Sequence, residues 1–263
     1  MPVEKSDSRY IRSLARGREM LQIVSQHGPI TLSEAAEISG LPYPTVARML
    51  TTLHIEKYIE RQESTKRYHV TALVRSLAHG FQDENRLAEI ARPHLVELTQ
   101  EIHWPVLIAT PLADQMVVRD STHTLTSMTL HHYYPGFTFP MIDSAAGQAW
   151  LAFCSPETRK QRLEEIEAQA DEELAHMIEI AKKDVKFREI RKAGFAVRER
   201  NTFTAPVGKN SVISAPIFRG DHPIGALALV YFASTHNLQE AIELYADIVM
   251  ETAKKIGNEL TVE

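Results

Sequence analysis

The 263-residue sequence predicts an α+β fold made of two unequal parts. Up to about residue 71, short segments with helical spacing of apolar residues precede two β-prone segments. Beyond about residue 105, β-prone segments come in pairs, with helical segments grouped between them, which is typical of an α+β sheet domain. Hydrophobic residues make up 44% of the chain and charged residues 24%, a composition that allows a real core.

The first two helices are predicted from local signals. An apolar stripe with helical spacing covers residues 8–27, and Gly28-Pro29 ends it. Thr31 and Glu34 have the spacing of a capping box, in which each side chain accepts a hydrogen bond from the other residue's backbone N–H. A short second helix therefore begins there, and Gly40 ends it.

A third helix over residues 43–54 has two different faces. One face is apolar at positions i, i+3, i+4 and i+7, and the opposite face is polar. Residues 58–61 and 66–70 then read as a hairpin around a polar turn. Two helices joined by a tight turn and followed by such a hairpin form a winged helix-turn-helix, a DNA-binding arrangement. The predicted DNA contacts are Tyr43, Thr45, Arg48, Thr52, Lys66 and Arg67.

These residue types suit DNA chemically. Arg48 can pair with a guanine edge or hold a phosphate, and Thr45 can contact a thymine methyl group. Lys66 and Arg67 in the hairpin are natural phosphate contacts. The alternative is a solvated helix face and a solvated hairpin, and the residues alone leave it open. For Arg9, Arg12 and Arg16, phosphate contact and ordinary solvation are equally good interpretations.

Charge is divided unevenly along the chain. Residues 1–75 hold 11 Lys and Arg against 8 Asp and Glu, whereas the remainder holds 18 against 26. A basic end on an acidic body favours one part approaching phosphate while the other stays away from it.

The remaining elements complete the α+β pattern. Residues 72–103 are helical in pattern, and Pro93 is expected to kink this region or to begin a new helix after Arg92. We predict domains at 8–71 (winged helix-turn-helix), 72–86 (linker helix) and 87–263 (sheet domain). The predicted strands are 106–110, 116–119, 125–130, 195–198, 211–218 and 224–231, and the predicted helices are 144–154, 156–168, 173–193 and 238–256.

Composition also bears on location and redox chemistry. The sequence holds no apolar run of the roughly 20 residues that cross a bilayer, and its first ten residues are polar. We therefore expect a cytoplasmic protein without a membrane partner. The single cysteine, Cys154, lies in an apolar stretch, which favours a buried thiol over a nucleophile.

Several short motifs follow one another along the chain: Ser13-Leu14-Ala15-Arg16-Gly17, residues 27–32, 40–42 and 48–53, Ala91-Arg92-Pro93-His94-Leu95, Ala145-Ala146-Gly147-Gln148-Ala149 and Ser214-Ala215-Pro216-Ile217. In order and spacing, from about Arg12 to Leu260, they resemble the IclR family of bacterial regulators. The resemblance implies a linker helix and a GAF-like effector domain. It also implies a homodimer or homotetramer that binds double-stranded operator DNA of catabolic genes.

Within that family, a narrower set of residues resembles the activators of hydroxyphenylpropionate degradation and implies an aromatic-acid effector. The set comprises Trp104-Pro105, residues 116–119, Thr122-His123 and residues 150–154.

The effector pocket can also be argued from chemistry. Asp143 or Ser144 can cap a helix whose small residues leave backbone N–H groups accessible to a carboxylate; alternatively, small residues merely permit close packing. Relatives often have small polar residues where Ala228 and Val230 stand here, which favours an apolar ring. The predicted effector contacts are Met128, Leu130, Ala145, Ala146, Gly147, Val212, Ala228 and Val230, and aromatic residues that could cover a ring or form local core are Tyr133, Tyr134, Phe137 and Phe139.

Other function classes lack their sequence signatures. His123, His131 and His132 have no paired metal-ligand spacing, so we expect no metal and no cofactor. The sequence has no Gly-x-Ser-x-Gly elbow and no Gly-rich phosphate loop, so we expect no enzyme. The prediction is a DNA-binding transcription regulator that is controlled by a small molecule, an aromatic carboxylic acid of a catabolic pathway. Alternatives are a repressor that responds to a small aliphatic acid, an enzyme fused to a DNA-binding domain, and an architectural protein without ligand.

Overall fold

A computed structural model describes residues 9–78, 85–129, 133–168, 170, 172–198 and 210–261. The chain divides into two compact units, Met1–Gln82 and Asp83–Glu263. This division falls inside the predicted linker, residues 72–86, of which 79–84 lie outside the described residues.

The N-terminal unit is a three-helix domain with a β-hairpin. Its elements are α1 (Arg12–His27), α2 (Leu32–Ser39), α3 (Tyr43–Ile55), β1 (Ile59–Arg61), β2 (Tyr68–Val70) and a short 3-10 helix, Ala72–Ala78. The strands β1 and β2 pair antiparallel. The first helix begins at Arg12, and Ser8, where the sequence placed its start, lies outside the described residues.

Local chemistry explains why these helices begin and end where they do. Thr31 and Glu34 form the expected capping box, since the Thr31 N–H donates to Glu34 Oε2 at 2.7 Å and the Glu34 N–H donates to Thr31 Oγ1 at 3.3 Å. Gly40 follows α2 with φ +62°, a left-handed conformation that favours glycine. On α3, Val46 and Leu50 are fully buried in the core of this unit.

The C-terminal unit is built on a six-stranded antiparallel sheet with strand order β5-β4-β3-β8-β7-β6. Its strands are β3 (Val106–Leu112), β4 (Gln115–Ser121), β5 (Thr138–Pro140), β6 (Ala196–Arg198), β7 (Asn210–Arg219) and β8 (His222–Phe232). Its helices are α4 (Asn85–Ile102), α5 (Ala145–Phe153), α6 (Pro156–Glu167), α7 (Glu172–Lys182), α8 (Val185–Ala193) and α9 (Leu238–Glu259).

Helices cover both faces of this sheet. Successive side chains of a strand point to opposite faces, so neighbouring residues of one strand pack against different helices. On β8, Leu227 and Leu229 pack with residues of α4 and α9. Ala228 and Val230, one position along, pack with residues of α5 instead. A strand buried on both faces reads as a continuous apolar run, as β8 does. The α+β prediction, with an N-terminal helix-turn-helix and an antiparallel sheet, is confirmed.

Three local features differ from the sequence predictions. Of the two outcomes expected at Pro93, a new helix after Arg92 is not found, because α4 runs continuously through Pro93. Burial of Ala91 and Leu95 on the sheet outweighs the one hydrogen bond that proline cannot donate. The strand expected over 125–130 is not formed over the described residues 125–129, where Thr126 Oγ1 instead donates to the His103 carbonyl at 2.7 Å. The third strand of that sheet half is β5.

The third difference concerns residues 173–193, which were expected as one helix. The segment forms two helices, α7 and α8, separated at Asp184, whose φ is +57°. The Asp184 carboxylate accepts hydrogen bonds from Arg159 and Arg191, both at 2.6 Å. Two charge-assisted hydrogen bonds of this length hold the break in place.

Candidate functional site

The polar face of α3 is accessible in the N-terminal unit. Arg48 and Thr52 are exposed and Thr45 is half-buried, on the side of α3 away from the buried Val46. The Thr52 hydroxyl donates to the Arg48 carbonyl at 2.9 Å, within the helix. The structure therefore brings three of the predicted DNA contacts to one helix face. Tyr43, the first residue of α3, is also exposed but does not line the same groove.

A groove between α1 and α3 extends this face. Arg12 and Arg16 from α1 lie across it from Arg48 of α3. The described residues that line the groove include these three arginines and no carboxylate. The sequence left the role of Arg12 and Arg16 open; the structure places them beside the predicted recognition face, where their positive charges add to that of Arg48.

In the hairpin, Lys66 and Arg67 differ. Lys66 is exposed, with φ +57° at the turn. The Arg67 guanidinium forms a fork with Glu34, at 3.0 Å and 3.1 Å, and donates to the Pro29 carbonyl at 2.8 Å. Arg67 therefore joins the hairpin to the start of α2 through the capping box, a partner that sequence reasoning missed.

Glu34 is the centre of this arrangement. Hydrogen bonds from the Thr31 backbone N–H, the Thr31 hydroxyl and the Arg67 side chain hold the pKa of Glu34 below its usual value. The carboxylate thus stays ionised at neutral pH and acts as helix cap and hairpin anchor together.

The C-terminal unit contains a cavity of about 240 Å³ on the α5 side of the sheet. Its walls come from the start of α5, from the strands β3, β6, β7 and β8, and from the segment between β4 and α5. The lining residues are Leu107, Tyr133, Phe137, Phe139, Pro140, Asp143, Ser144, Ala145, Ala146, Arg198, Val212, Ala228 and Val230.

The structure brings five of the predicted effector contacts to this cavity: Ala145, Ala146, Val212, Ala228 and Val230. Met128 instead packs against the cluster on the other face of the sheet, with α4 and α9. The prediction that Met128 covers a ring in this cavity is therefore not supported by its packing. Leu130 lies outside the described residues.

Gly147 does not offer the accessible amide that the sequence suggested. Its N–H donates to the Ser144 hydroxyl at 3.0 Å, so Ser144 is the N-cap of α5. A Cβ at Gly147 would lie 2.0 Å from the Met141 carbonyl oxygen. The glycine therefore permits close packing of α5 on the Met141 backbone, which was the alternative interpretation.

The polar end of the cavity holds an ion pair. Arg198 Nη2 donates to Asp143 Oδ2 at 2.7 Å. Nearby, burial raises the pKa of Tyr133, and a hydrogen bond with Asn210 and the positive charge of Arg198 offset part of that rise. Tyr133 is therefore a neutral phenol at physiological pH. The remaining walls are apolar or aromatic, including Phe137, whose ring centroid lies 5.8 Å from that of Tyr133.

Sequence reasoning missed Leu107 and Arg198, and a signal for Arg198 existed. In β6, Ala196 packs on the α5 side of the sheet and Val197 on the other. Period-2 alternation therefore directs Arg198 to the α5 side, where the neighbouring strands are apolar. A charged residue at the inward position of a strand is an indication of a site.

Other reactive groups lie in unreactive settings. Cys154 is buried, and desolvation raises the pKa of its thiol. Within the described ranges, no three His, Cys, Asp or Glu side chains are placed to hold a metal ion, and His131 and His132 lie outside those ranges. None of the described helices combines the length and apolar character that a bilayer-crossing segment needs.

Residues 13–63 match the family model of the IclR helix-turn-helix domain. The N-terminal unit is therefore similar to an IclR helix-turn-helix. The chain is 26% identical over 169 residues to the HTH-type transcriptional regulator TsaQ1/TsaQ2 of Comamonas testosteroni, over 64% of this chain and 60% of that protein. It is 28% identical over 152 residues to the transcriptional repressor IclR of Escherichia coli K12, over 56% and 54%. These matches span between half and three fifths of the relatives' length.

Solved structures of IclR proteins share the fold of both units. The Thermotoga maritima IclR matches with a TM-score of 0.67 at 21% identity, over 94% of this chain and 98% of that one. An IclR homologue from Microbacterium hydrocarbonoxydans, solved as a complex with 4-hydroxybenzoate, matches with a TM-score of 0.66 at 20% identity over the same shares. At these identities the likeness shows the shared fold of the two chains.

Proposed function

We propose that the protein is a transcription regulator that binds operator DNA through the polar face of α3 and the arginine-lined groove beside it. The observation that carries this proposal is the match of residues 13–63 to the IclR helix-turn-helix domain. In this proposal Arg48 binds a base edge or a phosphate group, and Tyr43, Thr45 and Thr52 contact the DNA beside it. Lys66 contacts the phosphate backbone of the DNA. Arg67 positions the hairpin through Glu34.

The experiment is a gel-shift titration on DNA from the gene's own promoter. Arg48→Ala should weaken specific binding by about 1–3 kcal/mol while the fold stays intact. Arg16→Ala should weaken binding to all sequences alike and reduce the salt slope by about one. Arg18→Ala is the matched control, because Arg18 is an exposed arginine of α1 outside the groove, hydrogen-bonded to Gln22. Wild-type affinity in a folded Arg48→Ala variant would remove Arg48 from the contact surface.

The effector in this proposal is a monocyclic aromatic carboxylate. A dry cavity of about 150 Å³ holds benzene, so a cavity of about 240 Å³ has room for one ring with a short substituent. Apart from Asp143, Ser144, Arg198 and the Tyr133 hydroxyl, its walls are apolar, as expected for a ring. The 4-hydroxybenzoate complex of the Microbacterium homologue, and the likeness to hydroxyphenylpropionate activators, support the same class.

Calorimetric titration with a panel of hydroxyphenylpropionates, benzoates and small aliphatic acids tests the class of the effector. Binding by the aromatic acids, with a change in affinity for promoter DNA, is the expected result. Binding by the aliphatic acids alone contradicts the aromatic effector. Chromatography of the mixture shows whether a bound acid is converted to a product. Such conversion would contradict the proposal that the protein is a regulator without enzymatic activity.

The proposal also includes the domain bounds expected from the sequence, at 8–71, 72–86 and 87–263. It further includes assembly as a homodimer or homotetramer that binds a near-palindromic operator. Exposed apolar side chains in the N-terminal unit support self-association: Leu14 of α1 is 70% exposed, Ile11 just before α1 is 61% exposed, and Leu77 of the 3-10 helix is 61% exposed. Two half-sites add affinity that a single winged helix cannot supply.

A further inference from the structure

The ion pair of the cavity is not needed for packing. Asp143 lies just before the N-cap of α5 and Arg198 ends β6, and their side chains are 27% and 35% exposed. Ion pairs that retain access to water contribute little to folding stability. The fold therefore gains little from placing two opposite charges in the wall of an otherwise apolar cavity, which points to a role in ligand binding.

Arg198 also has an unused hydrogen-bond donor. Its Nε is buried and has no hydrogen-bond partner among the residues that the structure describes. Asp143 engages Nη2. The edge of a guanidinium that carries Nε and an Nη is a fork that matches the two oxygens of a carboxylate. Because a buried donor without an acceptor is unfavourable, an anionic ligand oxygen that reaches Nε is favoured.

The start of α5 is a weaker anchor for such an anion. The Ser144 hydroxyl already accepts a hydrogen bond from the Gly147 amide at 3.0 Å. The first turn of α5 contributes mainly the methyl groups of Ala145 and Ala146 to the cavity wall. A ring can pack on those methyl groups while its carboxylate points to β6.

We propose that Arg198 selects the charge of the effector, and that Asp143 competes with the effector for the Arg198 guanidinium. A ligand carboxylate accepts hydrogen bonds from Nε and an Nη of Arg198 and displaces Asp143. This inference rests on the proposed function, since it takes the cavity as the effector site. It goes further by naming the residue that distinguishes an acid from its neutral analogue.

Competition between the ligand carboxylate and Asp143 predicts opposite effects for removal of Arg198 and removal of Asp143. Removal of the guanidinium weakens binding of a carboxylate, whereas removal of the competing Asp143 carboxylate strengthens it. If the ion pair only supported the cavity wall, removal of either partner would loosen that wall. Binding of the carboxylate would then be weaker in both variants.

The test is isothermal titration calorimetry of the full chain with matched pairs of probes: 4-hydroxybenzoate with 4-hydroxybenzamide, and 3-phenylpropionate with its amide. The variants are Arg198→Gln, Asp143→Asn and the double variant. Arg219→Gln is the control, since Arg219 is an exposed arginine of β7 outside the cavity.

We expect the wild type and Arg219→Gln to prefer each acid over its amide by about 10- to 100-fold, the range for hydrogen bonds to a charged group. Arg198→Gln and the double variant should lose this preference. Asp143→Asn should bind the acids more tightly than the wild type and the amides equally well. If thermal unfolding shows that the Arg198→Gln variant is not folded, the Asp143→Asn variant decides alone. Tighter binding of the acids then supports the proposal, and weaker binding overturns it.

The outcomes separate this inference from the proposed function. Aromatic acids that bind with an undiminished acid preference in Arg198→Gln overturn the role of Arg198 and leave the proposed function intact. Aliphatic acids that bind alone, with a dependence on Arg198, overturn the aromatic effector and support Arg198. If the wild type binds no acid of the panel, both are wrong.

Discussion

Substitution of Gly147 by alanine tests the packing that shapes the effector cavity. The added Cβ would lie 2.0 Å from the Met141 carbonyl oxygen, 2.6 Å from its carbonyl carbon and 2.7 Å from its Cα. All three are backbone atoms, so no side-chain rotation relieves the contact. Since real Cβ atoms essentially never come within 3.0 Å of another atom, α5 and the Met141 backbone must separate by about 1 Å at the shortest contact.

The magnitude follows from two opposing effects. Alanine improves helix propensity over glycine by about 1 kcal/mol, whereas forced overpacking of a core costs about 1–3 kcal/mol and occasionally more. Because the clash is with backbone, we expect the second effect to exceed the first and Gly147→Ala to destabilise the C-terminal unit by about 1–2 kcal/mol net. Displacement of α5 should also widen the cavity and weaken effector binding.

Tryptophan fluorescence during urea unfolding measures this effect selectively. The chain has two tryptophans, Trp104 and Trp150, and both lie in the C-terminal unit. Gly17→Ala is the control: it makes the same chemical change in α1, where a Cβ meets nothing within 4 Å. It should leave the fluorescence transition unchanged and stabilise the N-terminal unit by about 1 kcal/mol, seen by circular dichroism. A Gly147→Ala variant with the wild-type fluorescence midpoint would refute the close packing of α5 on Met141.

Three further predictions concern the cap, the hairpin anchor and assembly. Ser144→Ala should remove the N-cap of α5 and lower the stability of the C-terminal unit by about 0.5–2 kcal/mol, again by tryptophan fluorescence; an unchanged midpoint would contradict the cap. Because the folded-state pKa of Glu34 is lowered from 4.5, its carboxylate stabilises the fold above pH 4.5 and this contribution is lost as pH falls through the lowered value; Glu34→Gln should therefore show a smaller loss of Tm on acidification across that window than the wild type, and equal slopes would argue against it. Leu14→Glu should shift light scattering at micromolar concentration towards the monomer, and an unaltered assembly would place the interface elsewhere.

The helix-turn-helix could be predicted closely because its signals are local. Capping boxes, helix-ending glycines and apolar stripes act between residues three or four apart, so their partners are visible in the sequence. The third helix, expected over 43–54, is found at Tyr43–Ile55. The link from Arg67 to Glu34 joins residues 33 positions apart and was therefore missed.

The C-terminal unit was predicted less well because its strands depend on distant neighbours. Apolar runs gave β3, β4, β7 and β8 at nearly the right positions, since a buried strand reads as a continuous apolar run. Residues 125–129 read as β-prone in the sequence but form bends and irregular backbone, and Met128 packs with the residues of α4 and α9. Whether a β-prone segment becomes a strand depends on an available edge, which the sequence does not reveal.

The sequence by itself predicted the fold class, the polar face of α3 and the small, apolar residues Ala145, Ala146, Ala228 and Val230, which line the cavity. Tertiary structure alone decided the polar chemistry of the cavity wall. Asp143 and Arg198 are 55 positions apart and meet only because α5, which follows Asp143, packs on the face of the sheet that carries the Arg198 side chain. Electrostatic pairing depends on distance in space and not along the chain, so the charge that an effector encounters is a property of the fold.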